Sequence, residues 1–197
     1  MTQSPNTNTS IHPALALLQQ RVSHPRLTEP GPSQAQLADL YRAAMRAPDH
    51  AWLRPWRFIE VSGDDRTRLG EHMAHSARQD DPDLADKQYQ KLLNSPLRAP
   101  LVLIAWAKIS EHPKVPAIEQ VLATGAAVTN LINAAHALGI GAVWRTGAPA
   151  YSPALKQTLG LTATDHIVGF IYLGTPSGED KPVPALDPAD FISPLPT

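Results

Sequence analysis

Apolar residues recur along this chain with two different periods, and these periods divide it into helices and strands. Leu37, Leu40, Tyr41, Ala44 and Met45 stand three and four residues apart, which is the spacing of one helix face. Ser33-Gln-Ala-Gln36 comes just before. It has the form of a capping box, in which the two side chains satisfy first-turn amides reciprocally. The pattern predicts a helix from about Ser33 to Arg46, ended by Pro48. An earlier helix has Pro13 in its first turn and Leu15, Leu17 and Leu18 as apolar contacts. It is expected to run to Arg21 or shortly beyond and to stop before Pro25.

The strands carry a different signature. Leu101 to Ala107 is an unbroken apolar run of strand length, as a buried strand requires. Trp56 to Val61 reads as a strand closed by Ser62-Gly63, and His166 to Leu173 as another. Between them, residues 64–94 are charged, with weak helical periodicity interrupted at Pro82: two helices, or one broken helix. Glu119 to Leu138 reads as a long helix whose Gly125, Ala126, Ala127, Ala134 and Ala135 permit close approach of another helix, with Gly139 as its cap. Ala142 to Thr146 reads as a short strand. Ser152-Pro153 opens a short helix that Gly160 ends.

Both termini differ from this body. Residues 1–10 are rich in Thr, Asn and Ser and read as a disordered leader, without the charged and apolar regions of a signal peptide. Residues 175–197 hold prolines at 176, 182, 184, 188, 194 and 196, which exclude regular helix or a central strand. This tail has too few apolar residues for a core, so it is either disordered or an arm laid over another surface, on one domain spanning 11–197. Helices and strands follow one another without strict β-α-β alternation, which suits an α+β sandwich with helices around one sheet. No G-x-G-x-x-G element follows a strand, which argues against a Rossmann fold.

Composition removes several classes of function. Hydrophobic residues make up 43% and charged residues 18%, enough for a packed core. The net charge of -1 and the lack of any run of Lys or Arg give no reason to expect nucleic acid or an anionic membrane as partner. The absence of cysteine excludes disulfides, thiolate metal sites and a cysteine nucleophile, and a cytoplasmic setting fits. No stretch approaches the apolar length that spans a bilayer.

Candidate chemistry lies in three short segments. Arg21-Val-Ser23 ends the first helix; a guanidinium and a hydroxyl in that arrangement can hold a phosphate, although Arg-x-Ser alone is more often a solvated helix end. Arg46 closes the second helix, where a cation suits the helix dipole. Asp49 in the following loop can brace it as an Asx turn, and His50 can serve as a loop histidine, a ligand contact or a metal ligand. Trp144-Arg-Thr146 lies between Gly141 and Gly147. The tryptophan either covers a planar ring or packs as an ordinary strand residue. His72 and His75 have metal-ligand spacing but sit on what reads as a solvated charged face. No serine has a nucleophile-elbow context. A shortage of protein-borne acids, bases and nucleophiles is consistent with chemistry carried by a cofactor.

Taken together, these segments resemble the FMN-dependent nitroreductase family, and in particular its short YdjA-like members. The stretches that carry the resemblance are Met45-Arg-Ala-Pro-Asp-His50, Pro55-Trp56, Lys114-Val-Pro116 with Glu119-Gln120, Trp144-Arg-Thr-Gly-Ala148 and Ile167 to Pro176. The resemblance implies a nitroreductase-like α+β fold with a central, mainly antiparallel sheet, and a homodimer with FMN at the subunit interface. Arg21, Val22 and Ser23 would hold the phosphate and ribityl chain. Arg46 and His50 would reach the flavin from the partner subunit, and Trp144, Arg145 and Thr146 would line it from the other side. NADH or NADPH would donate hydride to flavin N5, and a nitro compound or similar small electrophile would then accept it, in a ping-pong scheme without a catalytic side chain. The proline-rich arm would wrap the neighbouring protomer. A non-catalytic flavin-binding or sensing homodimer is the alternative. Val22 and Pro25 depart from the family pattern, standing where many members carry cationic or polar residues.

Overall fold

The computed structural model describes residues 11–179 and 181–195. The expected leader at residues 1–10 therefore lies outside the described residues. Twelve elements follow in order: α1 (Pro13–Gln20), β1 (Leu27–Thr28), α2 (Gln34–Ala44), β2 (Trp56–Ser62), α3 (Asp65–Asp80), α4 (Asp86–Asn94), β3 (Leu101–Ala107), α5 (Ala117–Ala137), β4 (Gly141–Arg145), α6 (Ala148–Tyr151), α7 (Pro153–Thr158) and β5 (His166–Pro176). Short 3₁₀ turns occur at His50–Trp52, Ser95–Arg98 and Pro188–Asp190.

All strand pairs are antiparallel. β3 lies between β2 and β5, and β5 is long enough to take β4 and then β1 along its other edge. β3 is covered on both faces, hence its continuous apolar sequence. One face presents Leu101, Leu103, Ala105, Ile171 and Leu173 to α2 and α5. The other presents Val102, Ile104 and Phe170 to Leu69 and Met73 of α3 and Leu155 of α7. The result is helix, sheet, helix, with two cores of buried apolar side chains.

Local chemistry accounts for the element ends. Ser33 and Gln36 form the expected capping box. The break in residues 64–94 resolves into α3 and α4, separated by residues 81–85. Ile140 N–H reaches back to the Ala135 carbonyl past Gly139, whose φ of +69° a side chain rarely adopts.

Several expectations shift. α1 stops at Gln20, and Arg21 is already extended. Leu15 and Leu18 of α1 are exposed rather than packed, because α1 rests only one side on α5. α5 begins two residues early, directly after Pro116, and β4 covers Gly141–Arg145 and leaves out Thr146. α6 and β1 have no counterpart in the periodicity, because four and two residues hold too little of a repeat. β5 extends past Gly174 to Pro176, which the proline rule had assigned to the arm. Pro176 is tolerated as the last strand residue, opposite Leu27 of β1.

Candidate functional site

The Arg21–Ser23 segment leaves α1 in extended form and runs beside β4. The N–H of His24 donates to the Ala142 carbonyl at 3.0 Å. All three residues are half-buried. Trp144, Arg145 and Thr146 follow two to four residues farther along the chain from Ala142. The single bond at His24 thus sets the first segment beside the strand that carries the second.

Alternation along β4 sends its side chains to opposite faces. Trp144 turns toward α5. Its indole N–H donates to the Val168 carbonyl at 3.1 Å, and its ring lies against Gly125 and Gly169. Val168 is the residue left unpaired where the β3–β5 register slips, so the tryptophan takes up a carbonyl the ladder leaves free. Trp144 is thus a packed strand residue, half-buried, with its polar atom satisfied. Arg145 turns the other way. Its guanidinium carbon lies 5.8 Å from the Tyr172 ring centroid, and its Nε is buried without a hydrogen-bond partner. Thr146 is exposed and precedes Gly147, at φ +83°.

Arg46 and His50 occupy another region. Arg46 is exposed just past α2. His50 Nδ1 lies 2.8 Å from Glu119 Oε2 on the first turn of α5. The stretch from His50 to β2 is held in a costly conformation, with Ala51, Trp52 and Arg54 at φ of +59°, +54° and +49°. Asp49 braces it, its Oδ2 accepting a 2.6 Å hydrogen bond from the Arg54 N–H. This loop feeds β2, at the sheet edge opposite β4. β5 and β3 lie between, and three strand spacings of about 4.8 Å separate the edges by roughly 14 Å. The eight residues singled out from sequence therefore form two groups in one chain: Arg21, Val22, Ser23, Trp144, Arg145 and Thr146 on one side, Arg46 and His50 on the other. His75, considered as a metal ligand, instead sets its ring edge-on to Tyr89 at 6.0 Å.

A cleft of about 1100 Å³ opens where Arg145 points. α3, α4 and the 3₁₀ turn at Ser95–Arg98 form one wall; the segment from Arg145 to Pro153 forms the other, and Phe170 and Tyr172 of β5 line it between them. Tyr172 is 3% exposed. Burial pushes its phenol pKa up, while Ser95 and the charges of Arg145 and Arg98 pull it partly back. Sequence reasoning missed Tyr172 and Arg98, since a tyrosine inside an apolar strand reads as core and an isolated arginine carries no spacing signal. Arg145 was found, but its meeting with them across the fold was not legible.

The nitroreductase family model matches residues 18–175. A protein of Escherichia coli (strain K12) named "Putative NAD(P)H nitroreductase YdjA" is 41% identical over 181 residues, covering 91% of this chain and 98% of its own. A Haemophilus influenzae protein named "Putative NAD(P)H nitroreductase" is 34% identical over 182 residues, with the same two coverages. Among solved structures, a nitroreductase-like family protein from Bacillus cereus superposes with a TM-score of 0.79 at 22% identity, over 95% of this chain and 98% of its own. A Desulfovibrio desulfuricans protein named "putative nitroreductase", in complex with FMN, superposes with a TM-score of 0.67 at 24% identity, over 95% of this chain and all of its own. The chain belongs to the nitroreductase family.

Proposed function

We propose that this protein is an FMN-dependent NAD(P)H oxidoreductase that works as a homodimer and reduces a nitro compound or a similar small electrophile. The observation that carries this reading is the division of the candidate residues between opposite sheet edges. A two-fold pairing of copies through α5, whose Ile118 and Leu122 are exposed, would bring Arg46 and His50 of the partner to the β4 edge of this chain. Neither group makes a full cradle alone. The names of the relatives support the nucleotide donor, and the FMN bound in the Desulfovibrio desulfuricans structure supports the flavin.

The residues fit the cofactor. Arg21 and Ser23 offer a phosphate a guanidinium and a hydroxyl, and the Val22 N–H adds a backbone donor. The orphaned Nε of Arg145 is a buried donor awaiting an acceptor. Thr146 and Gly147 leave an open approach at the end of β4. His50, with Nδ1 engaged by Glu119, presents Nε2 outward. Cationic and hydrogen-bond-donating groups at such a site hold the negative charge that builds on reduction. When bound, FMN supplies hydride chemistry at N5, taking two electrons from the nucleotide and passing them to an acceptor that enters the same pocket in turn. The protein positions, shields and stabilises; it contributes no nucleophile.

The visible absorption spectrum of the purified protein with added FMN, followed by NADH or NADPH without air, tests this. A bound-flavin spectrum that bleaches with either nucleotide is expected. A colourless protein that takes up no FMN sinks the reading, and a yellow protein that no nucleotide bleaches leaves only a flavin-binding dimer.

A further inference from the structure

The cleft beside Arg145 has an electrostatic asymmetry. Two carboxylates line it, and both are engaged within the protein. Asp80 accepts hydrogen bonds from the Ser152 hydroxyl and the Ala154 N–H, closing the start of α7. Asp81 accepts from the Asp83 N–H. Four cations also line it, Lys87 and Lys91 on α4, Arg98 and Arg145. Among the described residues, Arg98 and Arg145 form no ion pair with any carboxylate; the Arg145 guanidinium carbon lies 5.8 Å from the Tyr172 ring centroid, and Arg98 lines the same cleft. Buried N–H groups are nearly always paired, and the Arg145 Nε is not. Met73, Leu92 and Phe170 make the neighbouring wall apolar.

We propose that the part of this cleft lined by the exposed Arg98 and the half-buried Arg145 is an anion seat, in which the two guanidiniums hold the carboxylate of an aromatic electron acceptor whose ring lies against that apolar wall. The pairing is the one guanidinium geometry favours, with parallel N–H donors toward two oxygens. The volume exceeds what one small aromatic acid occupies, leaving space toward Thr146 and Gly147. The inference deepens the flavin reading and rests on it for the identity of the ligand as an acceptor. Arg145 belongs to both readings; Arg98 belongs to the seat alone and therefore carries the test.

The experiment compares 4-nitrobenzoate with nitrobenzene, using the FMN-loaded full chain and NADH. Arg98→Gln is expected to lower kcat/KM for 4-nitrobenzoate about tenfold, as loss of a charge-assisted pair would. Turnover of nitrobenzene and the KM for NADH should stay within about twofold, and Arg98→Lys should recover part of the loss. Equal loss on both acceptors, or none on either, overturns the proposal. So does a raised KM for NADH alone, which would assign the cations to the dinucleotide phosphates. Calorimetric titration with benzoate, with and without FMN, keeps the two readings apart. Benzoate binding that weakens in Arg98→Gln supports the seat even if FMN fails to bind. A wild-type protein that binds no benzoate in either state ends it, whatever the flavin does.

Discussion

His50 Nδ1 and Glu119 Oε2 lie 2.8 Å apart and tie the loop after α2 to the first turn of α5. The pair is half exposed, so its share of folding stability is small, at most about 1 kcal/mol. Its consequence is orientation. A carboxylate at Nδ1 fixes which ring nitrogen faces outward, and on the proposed reading that nitrogen meets the cofactor. Glu119→Gln is expected to leave the melting temperature within a few degrees while raising the FMN dissociation constant several-fold. Flavin fluorescence titration measures it, and an unchanged constant would remove Glu119 from the site.

The two-edge arrangement predicts complementation. Arg21→Ala and Arg46→Ala subunits, mixed as a heterodimer, should place both lesions at one cofactor position and leave the other whole. Flavin stoichiometry near one per heterodimer is the expected result. Two damaged positions would contradict a cofactor shared between chains.

The arm should be an assembly element. Val183, Leu186, Phe191, Ile192 and Leu195 are all exposed on this chain, from 50% to 92%, an apolar series with no surface of its own to cover. Removal of the residues after Ser177 is expected to weaken the dimer markedly. Light scattering over a dilution series checks this; a truncated chain as dimeric as the full one would show that the arm lies elsewhere.

Gly70 marks where α3 and α4 touch. A Cβ there would stand 2.1 Å from the Leu93 carbonyl oxygen, a backbone atom that cannot step aside. Gly70→Ala is expected to cost about 1 to 3 kcal/mol by overpacking and to displace a wall of the cleft. Urea unfolding gives the first quantity. Wild-type stability in this variant would mean that the two helices can slide apart freely.

Two buried or half-buried acids set opposite pH limbs. Burial, then the hydrogen bond to Glu60 and its charge, raise the Tyr41 phenol pKa above its ordinary value. The stability this confers is complete below about pH 10, the unfolded value, and is lost as pH rises through the folded one. Burial opposes ionisation of Asp165, but hydrogen bonds from the Thr162 N–H and Oγ1 and the Ile109 N–H, with Lys108 nearby, outweigh it and lower its pKa. Its contribution is complete above about pH 4 and is lost as pH falls through the folded value. Tyr41→Phe should flatten the alkaline limb of denaturant stability, and Asp165→Asn the acid limb, with a loss of about 1 to 3 kcal/mol at neutral pH. Limbs unchanged in both variants would show that other groups govern them.

The fold was readable wherever a repeat was long enough. The capping box at Ser33, the apolar run of β3 and the glycine after α5 are local signals, complete within a few residues, and each specified its element. α6 and β1 were too short to show a period. Pro176 followed a rule for strand interiors although it stands at a strand end. The candidate residues were legible as three motifs, because Arg-x-Ser, Arg-Ala-Pro-Asp-His and Trp-Arg-Thr are contiguous. Their distribution over opposite sheet edges was not, because it depends on β3 and β5 lying between β2 and β4.

Sequence alone, then, determined the helices and strands, the apolar faces they bury, and the family resemblance of the loops, since propensity, capping and periodicity act between near neighbours. Tertiary structure decided which side of β4 Arg145 faces, that Trp144 spends its indole N–H on Val168, and that Arg98, Arg145 and Tyr172 meet in one cleft. Those outcomes come from strand pairing between residues far apart in the chain. A one-residue shift in register would send each side chain to the other face.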